Sequence, residues 1–148
     1  MRGALITSSW DAAVFRIALE VLPQLGVEQS AQLWHHLGQS ACARAASDQT
    51  RRWLALYAAV GQRDGAAMLT TAQAMLTDAK TSAEPERFGY LVACAMLGAL
   101  AHGEPQTALD VWSRFGAKRW TPKSVNVHLR LLLSTALFRA NEISSITR

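Results

Sequence analysis

PERFGYLVACAMLGALAHGEPQTALDVWSRFGAKRWTPKSVNVHLRLLLSTALFRA, residues 85–140, decides the fold. Its large apolar residues recur at three- and four-residue steps in three runs, separated by HGEP and GAKRWTP. Nowhere do they keep up the strict alternation of a half-buried strand. Alanine and leucine, both strong helix formers, dominate, so each run predicts a helix. The first follows Pro85, a residue suited to the first helical turn, and presents Phe88, Val92, Ala95 and Ala99 before a turn at His102 and Gly103. Glu104 caps and Pro105 opens the second, which presents Leu109, Trp112 and Phe115 before Gly116. The third takes Thr121 as N-cap and Pro122 as first residue, and reads through Val125, Leu129, Leu132, Leu133, Ala136 and Leu137 to Asn141. That is about 19 residues, or roughly 28 Å at 1.5 Å per residue. The tail ISSITR is expected to fray.

The same punctuation extends toward the N-terminus. A helix from Ser9 to about Leu22 carries Trp10, Val14, Ile17 and Val21 on one face, and Pro23 and Gly26 break it. A second, about 28–37, turns Leu33, Trp34 and Leu37 inward and stops at Gly38, a position suited to a left-handed C-cap. A third from Asp48 carries Trp53, Leu54, Tyr57 and Val60; a fourth, capped by Asp64, carries Met68, Leu69, Ala72, Met75 and Leu76. DAKTSAEPE (78–86) is a connection inside one domain, too short for a domain boundary. The expectation is an all-α chain of about seven helices in a single domain 1–148: hairpins at about 9–38, 48–77 and 85–116, then a final helix at about 121–140. Three turns share a spacing, Gly26 with Ala31, Gly61 with Ala66 and Gly103 with Ala108. In each, a glycine leaves one helix and a small residue sits where the next must approach closely. The copies lie 35 and 42 residues apart, as helical-hairpin repeats do.

The third copy resembles a pentatricopeptide repeat. In ALDVWSRFGAKRWTP, Ala108 is followed by Trp112 four residues on, Phe115 seven on and Pro122 fourteen on, like that family's second helix and trailing loop. Tyr90 stands five residues after Pro85, where the family's first helix favours an aromatic. Pro85 to Pro122 is 37 residues, two longer than the family's usual repeat, with the excess at the AHG turn. The resemblance covers 85–140; over 1–84 a tetratricopeptide-like pattern fits as well, and an unrelated helical bundle stays open. It implies helix pairs stacked as a short right-handed α-solenoid and, commonly, an organellar RNA partner in mitochondria or chloroplasts, with mitochondria the expected location here; without it the location would be cytoplasmic. The family's base-reading positions map to Leu91 and Lys123. Leucine cannot read a base edge and lysine suits phosphate, so base-specific reading is not expected here. In the following repeat the corresponding first-helix residue is His128, able to stack or hydrogen-bond.

Charge points to the same end of the chain. The net charge is +4 with 15 basic and 11 acidic residues. Residues 1–110 hold eight basic and ten acidic side chains, whereas 111–148 hold seven basic and only Glu142. Arg114, Lys118, Arg119, Lys123 and Arg130 form a cluster that would neutralise phosphates, and Trp120 among them would stack on a base. The simpler alternative makes Trp120 a core plug and the cations a solvated face. The remaining tryptophans, Trp10, Trp34, Trp53 and Trp112, fit a core.

Other chemistry finds little support. His35 and His36 project about 100° apart on a helix, which suits no shared metal. Cys42 and Cys94 form neither a disulfide framework nor a CxxC pair, and sit as small buried hydrophobes. No glycine-rich phosphate loop or GxSxG stretch occurs. The longest clean apolar run, VACAMLGALA (92–101), is half of the roughly 20 residues that span a bilayer. MRGALITSSW lacks a secretory signal's apolar core. The expectation is a non-catalytic binding module without cofactor, metal or membrane partner. It would contact RNA, subunits of a larger complex, or both. A tetratricopeptide-like protein scaffold is the competing class; because short solenoids expose apolar end faces, a subunit docked in a complex, a homodimer through the solenoid ends, or one domain cut from a longer protein is expected.

Overall fold

A computed structural model of the chain describes Ile17 and residues 21–78, 85–121 and 124–147. Among these, every regular element is helical. A 3-10 turn, Leu22–Gln24, precedes α1 (Val27–Gly38), α2 (Ala41–Ala45), α3 (Asp48–Gly61), α4 (Gly65–Thr77), α5 (Pro85–Ala101), α6 (Pro105–Val111) and α7 (Val127–Thr147). The expected helix at 9–22 lies outside the described residues except for its end. The chain divides into two compact units, Met1–Asp64 and Gly65–Arg148, and the division falls inside the stretch expected to form the 48–77 hairpin.

In the first unit Leu22, Leu37, Ala43 and Leu54 form the core, with Leu33, Trp34, Cys42 and Tyr57 packed against it. The 3-10 turn lies against α3, and Gly61 makes that possible. A Cβ there would collide with the Leu22 carbonyl and the Ser30 side chain. Two sequence expectations are corrected. Gly38 is not a left-handed cap but the last residue of α1, and the C-cap Gln39 is right-handed (φ −94°, ψ −7°). Ser40 supplies the ending: its hydroxyl donates to the Leu37 carbonyl (2.8 Å) and accepts from the Ala43 amide (3.1 Å), starting α2, which the sequence reading lacked.

The glycine spacing is the second correction. Gly26 is an extended N-cap, Gly61 is helical, and only Gly103 has positive φ (75°). Of the partner alanines, Ala31 and Ala66 are exposed and Ala108 is buried. The true counterpart of Gly103 is Arg63, at φ 57°. After α3 the Asp64 amide bonds to the Ala59 carbonyl (3.0 Å) and the Arg63 amide to Val60 (3.1 Å). After α5 the Glu104 amide bonds to Ala99 (2.8 Å) and the Gly103 amide to Leu100 (3.1 Å). Both are Schellman endings, and the next helix starts two residues after each left-handed residue, at Gly65 and at Pro105. The Arg63 guanidinium donates to the Val60 (2.8 Å) and Gly61 (3.0 Å) carbonyls, which offsets the cost of a left-handed non-glycine. The two left-handed helix endings stand 40 residues apart, at 63 and 103.

In the second unit α5 is central and packs on α4, α6 and α7. Leu91, Val92, Ala95, Met96 and Ala99 are fully buried, as are Ala72 and Met75 of α4. Gly98 and Gly65 bring the two backbones together: a Cβ on Gly98 would lie 2.6 Å from the Gly65 carbonyl oxygen and 2.8 Å from the Leu69 nitrogen. Helix α6 continues as a π turn, Trp112–Gly116, closed by the Ala117 amide on the Trp112 carbonyl (2.8 Å). Gly116 lies flat on the Trp112 ring, where any Cβ would clash.

Helix α7 corrects the expected 121–140. Thr121 and Ser124 form a local turn, with the Ser124 amide donating to Thr121 Oγ1 (3.3 Å) and the Ser124 hydroxyl to the Thr121 carbonyl (3.0 Å). The cap is Asn126, whose Oδ1 accepts from the Leu129 amide (2.9 Å), so the helix begins at Val127. It continues through the tail expected to fray, to Thr147. Leu129 and Ala136 are buried, but Leu137, expected inward, is 49% exposed.

Candidate nucleic-acid interface

Ahead of α7, residues 117–121 form a loop that carries Trp120 back over α5. Held by the Arg119 and Trp120 amides on the Gly116 carbonyl (3.1 and 3.0 Å), this loop lays the Trp120 indole beside Phe88, with ring centroids 5.6 Å apart. On α5 the indole lies over Gly89, where an added Cβ would meet Trp120 Cη2 at 3.7 Å, an ordinary contact. Between Trp120, the α5 face of Tyr90 and Ala93, and the α7 entry at Asn126 and His128 lies a groove of about 550 Å³. Its walls are largely apolar and none of its lining residues is acidic.

The expected site residues divide into three groups. Trp120, half-buried, and His128, exposed, line the groove. Lys118 and Arg119 are exposed in the turn that carries Trp120, and the Arg119 guanidinium sits 4.3 Å from the centre of the Phe88 ring, a cation–π contact. The others are placed elsewhere or spent. Arg114 lies over Phe115 at 5.1 Å, and Arg130 donates to the Val125 carbonyl (3.0 Å). Lys123 lies outside the described residues. Arg139, part of the same basic run, donates to the Leu100 carbonyl (3.3 Å) and so satisfies the C-terminal end of α5. Leu91, the family's base-reading position, is fully buried, which removes it from any ligand.

Tyr90, Ala93, Ser124, Val125, Asn126 and Leu129 complete the groove and were not singled out as site residues from sequence. Tyr90 and Ala93, three apart on one helix, carry the only local signal of a shared face. Asn126 shows itself only once the helix start is known.

Cys94, buried beside the groove residue Ala93 in α5, is held as a thiol: burial pushes it up to about 12, against a smaller lowering from a hydrogen bond with Tyr90. Among the described residues no three His, Cys, Asp or Glu side chains converge as metal ligands, and no helix is long and apolar enough to cross a membrane. Comparison with protein-family models, with curated proteins and with solved structures finds no match.

Proposed function

We propose that the chain is a non-catalytic, helical-repeat binding module whose C-terminal unit contacts single-stranded RNA without reading its sequence. The groove carries this reading: an indole and a phenol ring facing a largely apolar cleft, no acidic wall, and the exposed cations Lys118 and Arg119 beside Trp120. Aromatic faces stack on any base, and adjacent cations neutralise phosphates, so the combination suits sequence-tolerant binding. A pentatricopeptide-like solenoid and mitochondrial residence belong to the same proposal, and their support is the resemblance over 85–140.

The test is binding of a mixed-sequence RNA pool from about 50 to 200 mM salt. Three neutralised phosphates give a log–log slope of about −2, which is roughly a twentyfold loss of affinity over that range. Lys118→Ala/Arg119→Ala/Lys123→Ala should flatten the slope by about two. Trp120→Leu, which keeps an apolar side chain against Phe88, should weaken binding at least about fivefold with the slope unchanged. Absence of binding at low salt, or an unaltered triple variant, refutes the RNA reading. Salt-independent binding of a protein would instead favour the scaffold class.

A further inference from the structure

Helix α7 has two apolar faces, and the core uses one. Leu129 and Ala136 are buried against the unit. At 100° per residue, Val127, Leu131, Ser134 and Phe138 fall within an arc of about 60° on the opposite side. The large members of this stripe are bare: Val127 is 74% exposed, Leu131 65% and Phe138 66%. Scattered exposed apolar residues are ordinary, but a stripe at four-, three- and four-residue steps is the seam of a helix that packs against another helix.

We propose that this outer face pairs with the same face of a second copy, as an antiparallel helix pair about a twofold axis. Self-complementarity points to that occupant. In an antiparallel pair, setting Leu131 against Ser134 of the partner subunit also sets Phe138 against Val127 of the partner subunit. Both pairs are centred between positions 132 and 133, so one twofold axis satisfies both, and each contact occurs twice. Each large side chain then meets a smaller one, as interdigitating layers require. The charges are compatible with closure. Of the charged residues that flank the stripe, Arg130 donates to the Val125 carbonyl of its own chain, and Glu142, one turn beyond Phe138, lies past the paired stretch 127–138.

The area is adequate. Val127, Leu131 and Phe138 together expose roughly 350 Å² of apolar side chain, or about 700 Å² for two copies, and Leu137, 49% exposed, borders the stripe. The polar flanks at Ser134, Thr135 and Asn141 bring the total toward the roughly 1,200 Å² at which specific interfaces begin.

Sedimentation equilibrium of the full chain from about 1 µM to about 1 mM is the direct test. The mass should rise from 16.1 kDa toward twice that value. Leu131→Glu/Phe138→Glu should hold it at the monomer value with circular dichroism unchanged, since both side chains face water in the single chain. A wild-type chain that stays monomeric, or a double variant that dimerises as well as wild type, overturns the proposal. Cross-linking tests the register without burying a charge. In a Cys42→Ala background, with Cys94 buried, a mixture of L131C and S134C chains should form disulfide-linked dimers faster than either chain alone. Equally fast linking of either chain with itself overturns the antiparallel pairing. None of these outcomes depends on RNA, so failure here leaves the groove reading standing, and the reverse holds.

Discussion

Gly38 and Gly98 are both helical, and replacing each by alanine should move stability in opposite directions. Alanine is about 1 kcal/mol better than glycine inside a helix, so propensity alone favours both changes. At Gly38 nothing lies within 4 Å of an added Cβ, and the gain stands, at up to about 1 kcal/mol. At Gly98 the methyl meets the Gly65 carbonyl oxygen at 2.6 Å, the Leu69 nitrogen at 2.8 Å and Met68 Cβ at 3.0 Å. The first two are backbone atoms of α4 and cannot swing away, so the helices must separate and lose contact along their shared seam. Overpacking of this kind costs about 3 kcal/mol at the upper end, which leaves a net loss of about 2 after the propensity gain. For a chain of this size that lowers the melting temperature by roughly 4–8 °C, while Gly38→Ala raises it by a few degrees. Thermal and urea melts followed by circular dichroism read both. A Gly98→Ala chain as stable as wild type would refute the backbone contact of α4 with α5. A destabilised Gly38→Ala chain would restore the left-handed cap, because alanine is strained there.

The start of α7 is open to a similar comparison: Asn126→Ala should cost about 1 kcal/mol through loss of its cap, and Thr121→Ala should cost less, whereas a helix beginning at residue 122 would reverse that order in urea melts. For Cys94 the folded thiol titrates at about 12 against an ordinary 9.0. Above pH 9 the unfolded chain therefore holds fewer protons than the folded one, and stability falls as pH rises, by at most about 1.4 kcal/mol per unit. Cys94→Ala should remove that component in a pH series from 9 to 11, and an identical slope in both chains would contradict the burial.

Helix type and most of the core were legible in the sequence because both follow from local periodicity. Val92, Ala95 and Ala99 share a face of α5 by spacing alone, and all are buried. What escaped depends on which polar group wins at a chain reversal. Gly38 and Gly61 look like helix ends because glycine tolerates left-handed backbone, yet Ser40 and Arg63 supply the side-chain hydrogen bonds that end those helices. The likeness of the two Schellman endings was hidden for the same reason: one of the two left-handed residues is an arginine. The basic cluster was legible as composition but not as a surface, because Arg130 and Arg139 are committed to carbonyls that only the fold brings within reach.

The misplaced start of α7 also accounts for the groove. A helix beginning at Pro122 would place Trp120 just before its N-cap and carry Ser124 and Val125 around the first turn, with no chain left to lie across α5. Asn126 sets the start at Val127, and ahead of it Val125 is buried, Ser124 closes on Thr121, and Trp120 settles against Phe88. The same choice leaves Asn126 and His128 at the groove's edge and begins the outer stripe at Val127, one residue after the cap. One side-chain oxygen accepting one amide thus sets where the candidate interface ends and where the pairing face starts, although nothing in the charge or hydropathy of residues 121–127 distinguishes Asn126 from Thr121 as the cap.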